Sequence, residues 1–136
     1  MKTIETRKDI ELLVESFYTK VRAHNELGPI FSRHIKEDEW PEHLSKLSDF
    51  WETNLFGVRK FKGNPTQKHI NVDQAHPGGL EQELFGYWLQ LWIATLDELF
   101  HGKLAEKAKD AARNIAHIQF LILWKKKNTQ TINNLV

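Results

Sequence analysis

Apolar residues return every third or fourth position near the start of the chain. Ile10, Leu13, Val14, Phe17 and Val21 fall on one stripe, the spacing that lines one face of an α-helix. Thr6 and Asp9 precede the stripe in the order of a helix-start capping box, and Gly28-Pro29 is where the pattern predicts this helix to stop. A second helical pattern begins near Asp38, tolerates Pro41 in its first turn, and ends at Gly57. A third runs from about Leu80 to Phe100 through Leu84, Trp88, Leu91, Leu96 and Leu99. Gly102 separates it from a fourth that carries Leu104, Ala108, Ala111, Ile115, Ile118 and Ile122. No segment alternates long enough to build a sheet, so the sequence predicts an all-α chain.

Between Gly57 and Leu80, Gly63, Asn64-Pro65, Pro77 and Gly78-Gly79 break every regular period. Connections beyond about 12 to 15 residues without structure are uncommon in compact domains and usually functional. This one holds His69 and His76. Residues 1–5 and 128–136 are expected to fray. The small side chains of Ala105, Ala108 and Ala112 predict close approach to the fourth helix by another helix or a flat ligand.

His43 shares the apolar side of the second helix with Leu47, Phe50 and Trp51, a place where a titratable ring needs a reason to be. Phe17 and Tyr18 belong to the buried side of the first helix, and Trp88 and Trp92 lie one turn apart on the third. Buried polar-tipped rings each need a hydrogen-bond partner, and a large polarisable ligand would supply several. The alternative for the five tryptophans is a dry core of bulky side chains.

At 136 residues the chain has the size of one domain, enough to bury roughly two-thirds of its unfolded surface. Apolar residues make up 40% and charged ones 27%, a globular composition rather than a disordered one. The net charge of +1 provides no field to draw nucleic acid or an anionic membrane. Lys125 to Lys127 follow the apolar end of the last helix, where cations complement the helix dipole. With no cysteine, disulfides, thiolate metal sites and covalent haem attachment are excluded. Charges near the N-terminus and short apolar runs argue against a signal peptide and a membrane span, and favour the cytoplasm.

Other chemistries find little support. Glu98 and His101 have the Glu-x-x-His spacing of di-iron bundles, but those sites need a second copy and further helical glutamates. Ser45 and Ser48 are ordinary helix positions without a nucleophile elbow, and no phosphate-binding glycine loop occurs.

Five segments carry a family likeness: Phe17-Tyr18-x-x-Val21-Arg22, Leu27-Gly28-Pro29-Ile30-Phe31, Glu39-Trp40-x-Glu42-His43 leading to Phe50-Trp51, Phe61-x-Gly63-Asn64-Pro65-x-x-Lys68-His69, and Trp88-Leu89-x-Leu91-Trp92. In this order they resemble the truncated haemoglobins, specifically the group III branch, over nearly the whole chain. The resemblance implies one compact helical sandwich around non-covalently bound haem b. It assigns Tyr18, His43 and Trp88 to the distal, ligand-facing side. Phe31 becomes the ring that wedges the haem, with Phe17, Leu47, Phe50, Trp51 and Trp92 lining the pocket. His69 is the implied proximal iron ligand, and Lys68 beside it would reach a propionate. The segment from His69 to Trp88 is longer than the family usually shows, which leaves His76 as the alternative ligand.

The implied ligands are dioxygen, nitric oxide and carbon monoxide, with detoxification of nitric oxide or peroxide chemistry favoured over oxygen transport. Nitric oxide dioxygenase or peroxidase-like turnover would need a separate reductase, so enzymatic activity stays open. A monomer or weak homodimer is expected. The rival readings are a haem-free helical binding or sensor module and a six-coordinate haem protein for electron transfer or sensing.

Overall fold

A computed structural model describes residues 1–58 and 82–118. The first helix, α1 (Arg7–Ala23), starts where the sequence places it. The Asp9 N–H donates to Thr6 Oγ1 at 3.3 Å, and Asp9 Oδ2 accepts from the N–H groups of Thr6 and Glu5 at 3.0 and 2.8 Å. These bonds satisfy donors that a bare helix start leaves open. Burial works to raise the Asp9 carboxyl, but the Glu5 and Thr6 N–H groups and the Lys2 ammonium outweigh it and hold the group below the usual carboxylate range.

The predicted stop at Gly28-Pro29 is corrected. Helix α1 ends at Ala23, and Gly28-Pro29 lies in the first turn of α2 (Leu27–His34). Proline is tolerated there because the first N–H groups of a helix have no intrahelical acceptor. Gly28 is required by crowding, since a Cβ at this position would stand 2.5 Å from the Arg22 carbonyl oxygen. His24 closes the turn, its Nδ1 accepting from the N–H groups of Glu26 and Leu27 at 3.1 and 3.2 Å.

A short 3-10 turn (Glu37–Glu39) leads into α3 (Trp40–Phe56), with proline in its first turn. Gly57 ends the helix at φ 73°, the left-handed conformation that glycine adopts without penalty. Helix α4 (Gln82–Leu99) follows, and α5 covers residues 103–118. The expectations for Lys68, His69 and His76, and for the 128–136 tail, fall outside the described residues.

Helices α2, α3 and α4 all pack on α1, whose fully buried stripe is Ile10, Leu13, Val14, Phe17 and Val21. Polar ties fix the crossings. Arg7 reaches Asp49 at 2.6 Å and Glu52 at 2.7 Å on α3, while Lys20 reaches Thr95 at 3.1 Å and Glu98 at 2.7 Å on α4. Helix α5 turns its alanines inward: Ala105, Ala108, Ala112 and Ala116 are buried. Their small side chains let the indole of Trp92 donate to the Ala108 carbonyl at 3.1 Å. The larger stripe fares differently, since Ile118, expected to face the core, is half exposed.

The start of the chain departs from the frayed tail expected for residues 1–5. Ile4 belongs to the core, Lys2 bridges to Phe100, and the His101 N–H donates to the Lys2 carbonyl at 3.0 Å.

Candidate functional site

The helix crossings bring aromatic and polar-tipped rings from four helices into one cluster. Tyr18, on the buried face of α1, is its centre. Its ring lies 4.7 Å from Phe17, 6.0 Å from Phe31, 5.9 Å from Trp40 and 5.8 Å from His43, measured between centroids. Most of these contacts are edge-to-face, the arrangement that ring quadrupoles favour. Burial pushes the Tyr18 phenol above its ordinary value, and the Trp88 side chain, hydrogen bonded to it, works in the other direction. The phenol therefore keeps its proton across the neutral range and remains a donor.

His43 is half-buried on α3, with its Nε2 buried. Its ring stands edge-on to Tyr18 and, at 5.3 Å, to Trp40 one turn earlier. Leu47 and Phe50 continue the same side of α3 and are half-buried against the core.

A second group of rings stands behind this one. Trp51 and Trp92 stack with centroids 4.4 Å apart, Phe17 meets Trp92 edge-on at 4.9 Å, and Phe50 meets Trp51 edge-on at 5.2 Å. Trp88 links the two groups, lying 5.7 Å from Phe17 and parallel to Trp92 at 6.5 Å. Trp92 is fully buried and its N–H is satisfied by Ala108. The partner of this indole is protein backbone, where the sequence pattern left room for a ligand.

Of the residues singled out from sequence, Phe17, Tyr18, Phe31, His43, Leu47, Phe50, Trp51, Trp88 and Trp92 thus belong to one region of the fold. Trp40 is a residue whose place the pattern alone did not give. It is buried against Tyr18 and His43, with the Arg22 guanidinium over its ring, 4.5 Å from the centroid. The signal was the one-turn spacing of Trp40 and His43, which puts two rings on the same side of α3.

The remaining described histidines have other settings. His24 caps a turn, and His34, His101 and His117 are exposed. Glu98 pairs with Lys20 rather than with His101. Among the described residues no three His, Asp or Glu side chains gather into a metal cage, and no helix is long and apolar enough to cross a membrane. An open groove between the end of α3 and the start of α5, lined by Asn54, Lys103, Lys107 and Asp110, shares no residue with the ring cluster.

No protein-family model matches the chain. It is 33% identical over 119 residues to the group 3 truncated hemoglobin ctb of Campylobacter jejuni, an alignment covering 85% of this chain and 90% of that protein. The crystal structure of group III truncated hemoglobin from Campylobacter jejuni superposes with a TM-score of 0.81 at 32% identity, covering 93% of this chain and 98% of the other. With that identity across most of both chains and the same helical fold, the chain belongs to the group III truncated haemoglobins.

Proposed function

We propose that this chain binds haem b non-covalently beside the Tyr18 cluster and uses it to take up diatomic gases, with nitric oxide detoxification as the role. The observation that carries this reading is the convergence of a buried phenol, an imidazole with a buried Nε2 and an indole from α1, α3 and α4. Such a donor set fits the ligand-facing side of a haem: apolar ring walls for the macrocycle, and a few polar tips for what binds there. His69 would hold the iron and Lys68 a propionate, with His76 as the alternative ligand.

Bound haem would supply a ferrous iron for dioxygen, nitric oxide or carbon monoxide, and turnover of nitric oxide with dioxygen to nitrate would need a separate reductase to return one electron each time. The chain's own residues set the fate of the ligand. Tyr18 holds its proton on Oη and would donate it in a hydrogen bond to a ligand atom that gains negative charge. Trp88, hydrogen bonded to the phenol, orients that hydroxyl. The rings of Phe17, Phe31 and Trp40 surround the phenol, and a water-poor setting strengthens each donor. A donor of this kind slows ligand release, which suits reaction in place better than transport.

Mixing the oxygenated ferrous protein with nitric oxide in a stopped-flow instrument tests the role. Nitrate in a one-to-one yield, formed faster than oxygen dissociates, is expected. Oxygen release preceding any reaction would remove the detoxification role.

A further inference from the structure

We propose that Arg22, Glu37 and Trp40 form a clamp that positions His43 and thereby sets how readily a ligand reaches the Tyr18 pocket. This rests on the haem-pocket reading above and assigns positioning residues to it. Arg22 follows Tyr18 by one turn of α1, so the two side chains share one side of the helix, one buried and one at its rim. The Arg22 guanidinium lies over the Trp40 ring, 4.5 Å from its centroid. Its Nη2 also donates to both carboxylate oxygens of Glu37 at 2.6 Å. Glu37 belongs to the 3-10 turn that delivers the chain into α3. The ion pair therefore fixes both the cation over the ring and the approach of the helix that carries His43.

Trp40 also meets Tyr18 at 5.9 Å and His43 at 5.3 Å between ring centroids. The His43 ring stands at 83° to the indole and at 83° to the Tyr18 ring, so the imidazole packs against Trp40 and Tyr18 together. A fixed Trp40 therefore restrains movement of the imidazole. Trp40 is only 4% exposed, whereas the Glu37 side chain that anchors the clamp is 85% exposed. A surface ion pair thus acts on a buried ring.

The test measures carbon monoxide association by flash photolysis and dissociation by ligand displacement, in the full chain loaded with haem. From the strength of exposed ion pairs and cation–ring contacts, Arg22→Ala is expected to raise the association rate about threefold to tenfold. Dissociation should change by less than about twofold, because Tyr18 remains in place. Glu37→Gln should shift association the same way by less, and Arg22→Lys, which keeps the charge but not the planar stack, should fall between. In the haem-free full chain, the His43 ring resonance, displaced by the Trp40 ring, should move toward its exposed position in Arg22→Ala while circular dichroism stays unchanged. An unchanged association rate, or rates of association and dissociation that change together with the melting temperature, would overturn the clamp. A chain that takes up no haem would defeat the function proposed above instead, and the His43 resonance alone would then decide whether the clamp positions that ring.

Discussion

Tyr18→Phe separates the chemistry of the ring cluster from its packing. The substitution keeps the ring, and with it the edge contacts to Phe17 and Phe31 at 4.7 and 6.0 Å. What it removes is one hydroxyl, buried with its residue only 6% exposed. Losing the neutral hydrogen bond with Trp88 should destabilise the fold by about 0.5–1.5 kcal/mol. A hydrogen bond to a ligand atom bearing negative charge contributes about 1.5–3 kcal/mol, which converts to oxygen dissociation about tenfold to 150-fold faster. Stopped-flow displacement of oxygen and a denaturant melt of the same variant measure the two effects side by side. The phenol also leaves a pH signature. Because the folded-state value is raised, the contribution is fully present below the ordinary phenol value of 10.0 and falls away as pH rises above it, where the unfolded chain ionises first. Tyr18→Phe should lose that alkaline decline. An unchanged oxygen dissociation rate would refute Tyr18 as the donor, and a stability loss above about 3 kcal/mol would mean that more than a hydroxyl had been removed.

Asp9→Asn should lower stability at neutral pH by about 1–2 kcal/mol through the weakened cap and flatten the acid limb of a pH melt. The folded carboxyl is held below its ordinary range, so its contribution is present above that range and disappears as pH falls through the folded value; a variant with the wild-type acid profile would contradict this. Gly28→Ala places a methyl 2.5 Å from the Arg22 carbonyl oxygen and should cost about 1–3 kcal/mol as α2 shifts away. The denaturant midpoint should fall at constant slope, and an unmoved midpoint would show that the approach of α2 to α1 is not fixed there.

What could be read in advance was what neighbours in sequence decide among themselves. The Thr6/Asp9 cap and the Gly57 stop are complete within a few residues, and both stand where the pattern puts them. Gly28-Pro29 misled because proline marks the first turn of a helix as well as its end. The inward face of α5 was ambiguous for a different reason. Both its alanines and its larger residues recur at helical spacing, and it is the alanines that are buried, where the Ala108 carbonyl accepts from the Trp92 indole. The candidate site was legible as a set of rings, not as an arrangement. The one-turn spacings of Trp40 to His43 and of Tyr18 to Arg22 are written in the sequence. That Arg22 covers Trp40, and that Trp92 is satisfied by backbone, depends on helix crossings that no local pattern states.

The most direct measurement is the visible absorption spectrum of the full chain with one equivalent of haem, as ferric, ferrous and carbonyl forms, beside His69→Ala and His76→Ala. A sharp Soret band that shifts with carbon monoxide, weakened in His69→Ala and retained in His76→Ala, is the predicted result. Spectra of free haem in the unsubstituted chain would contradict haem binding itself, and a loss confined to His76→Ala would contradict ligation through His69.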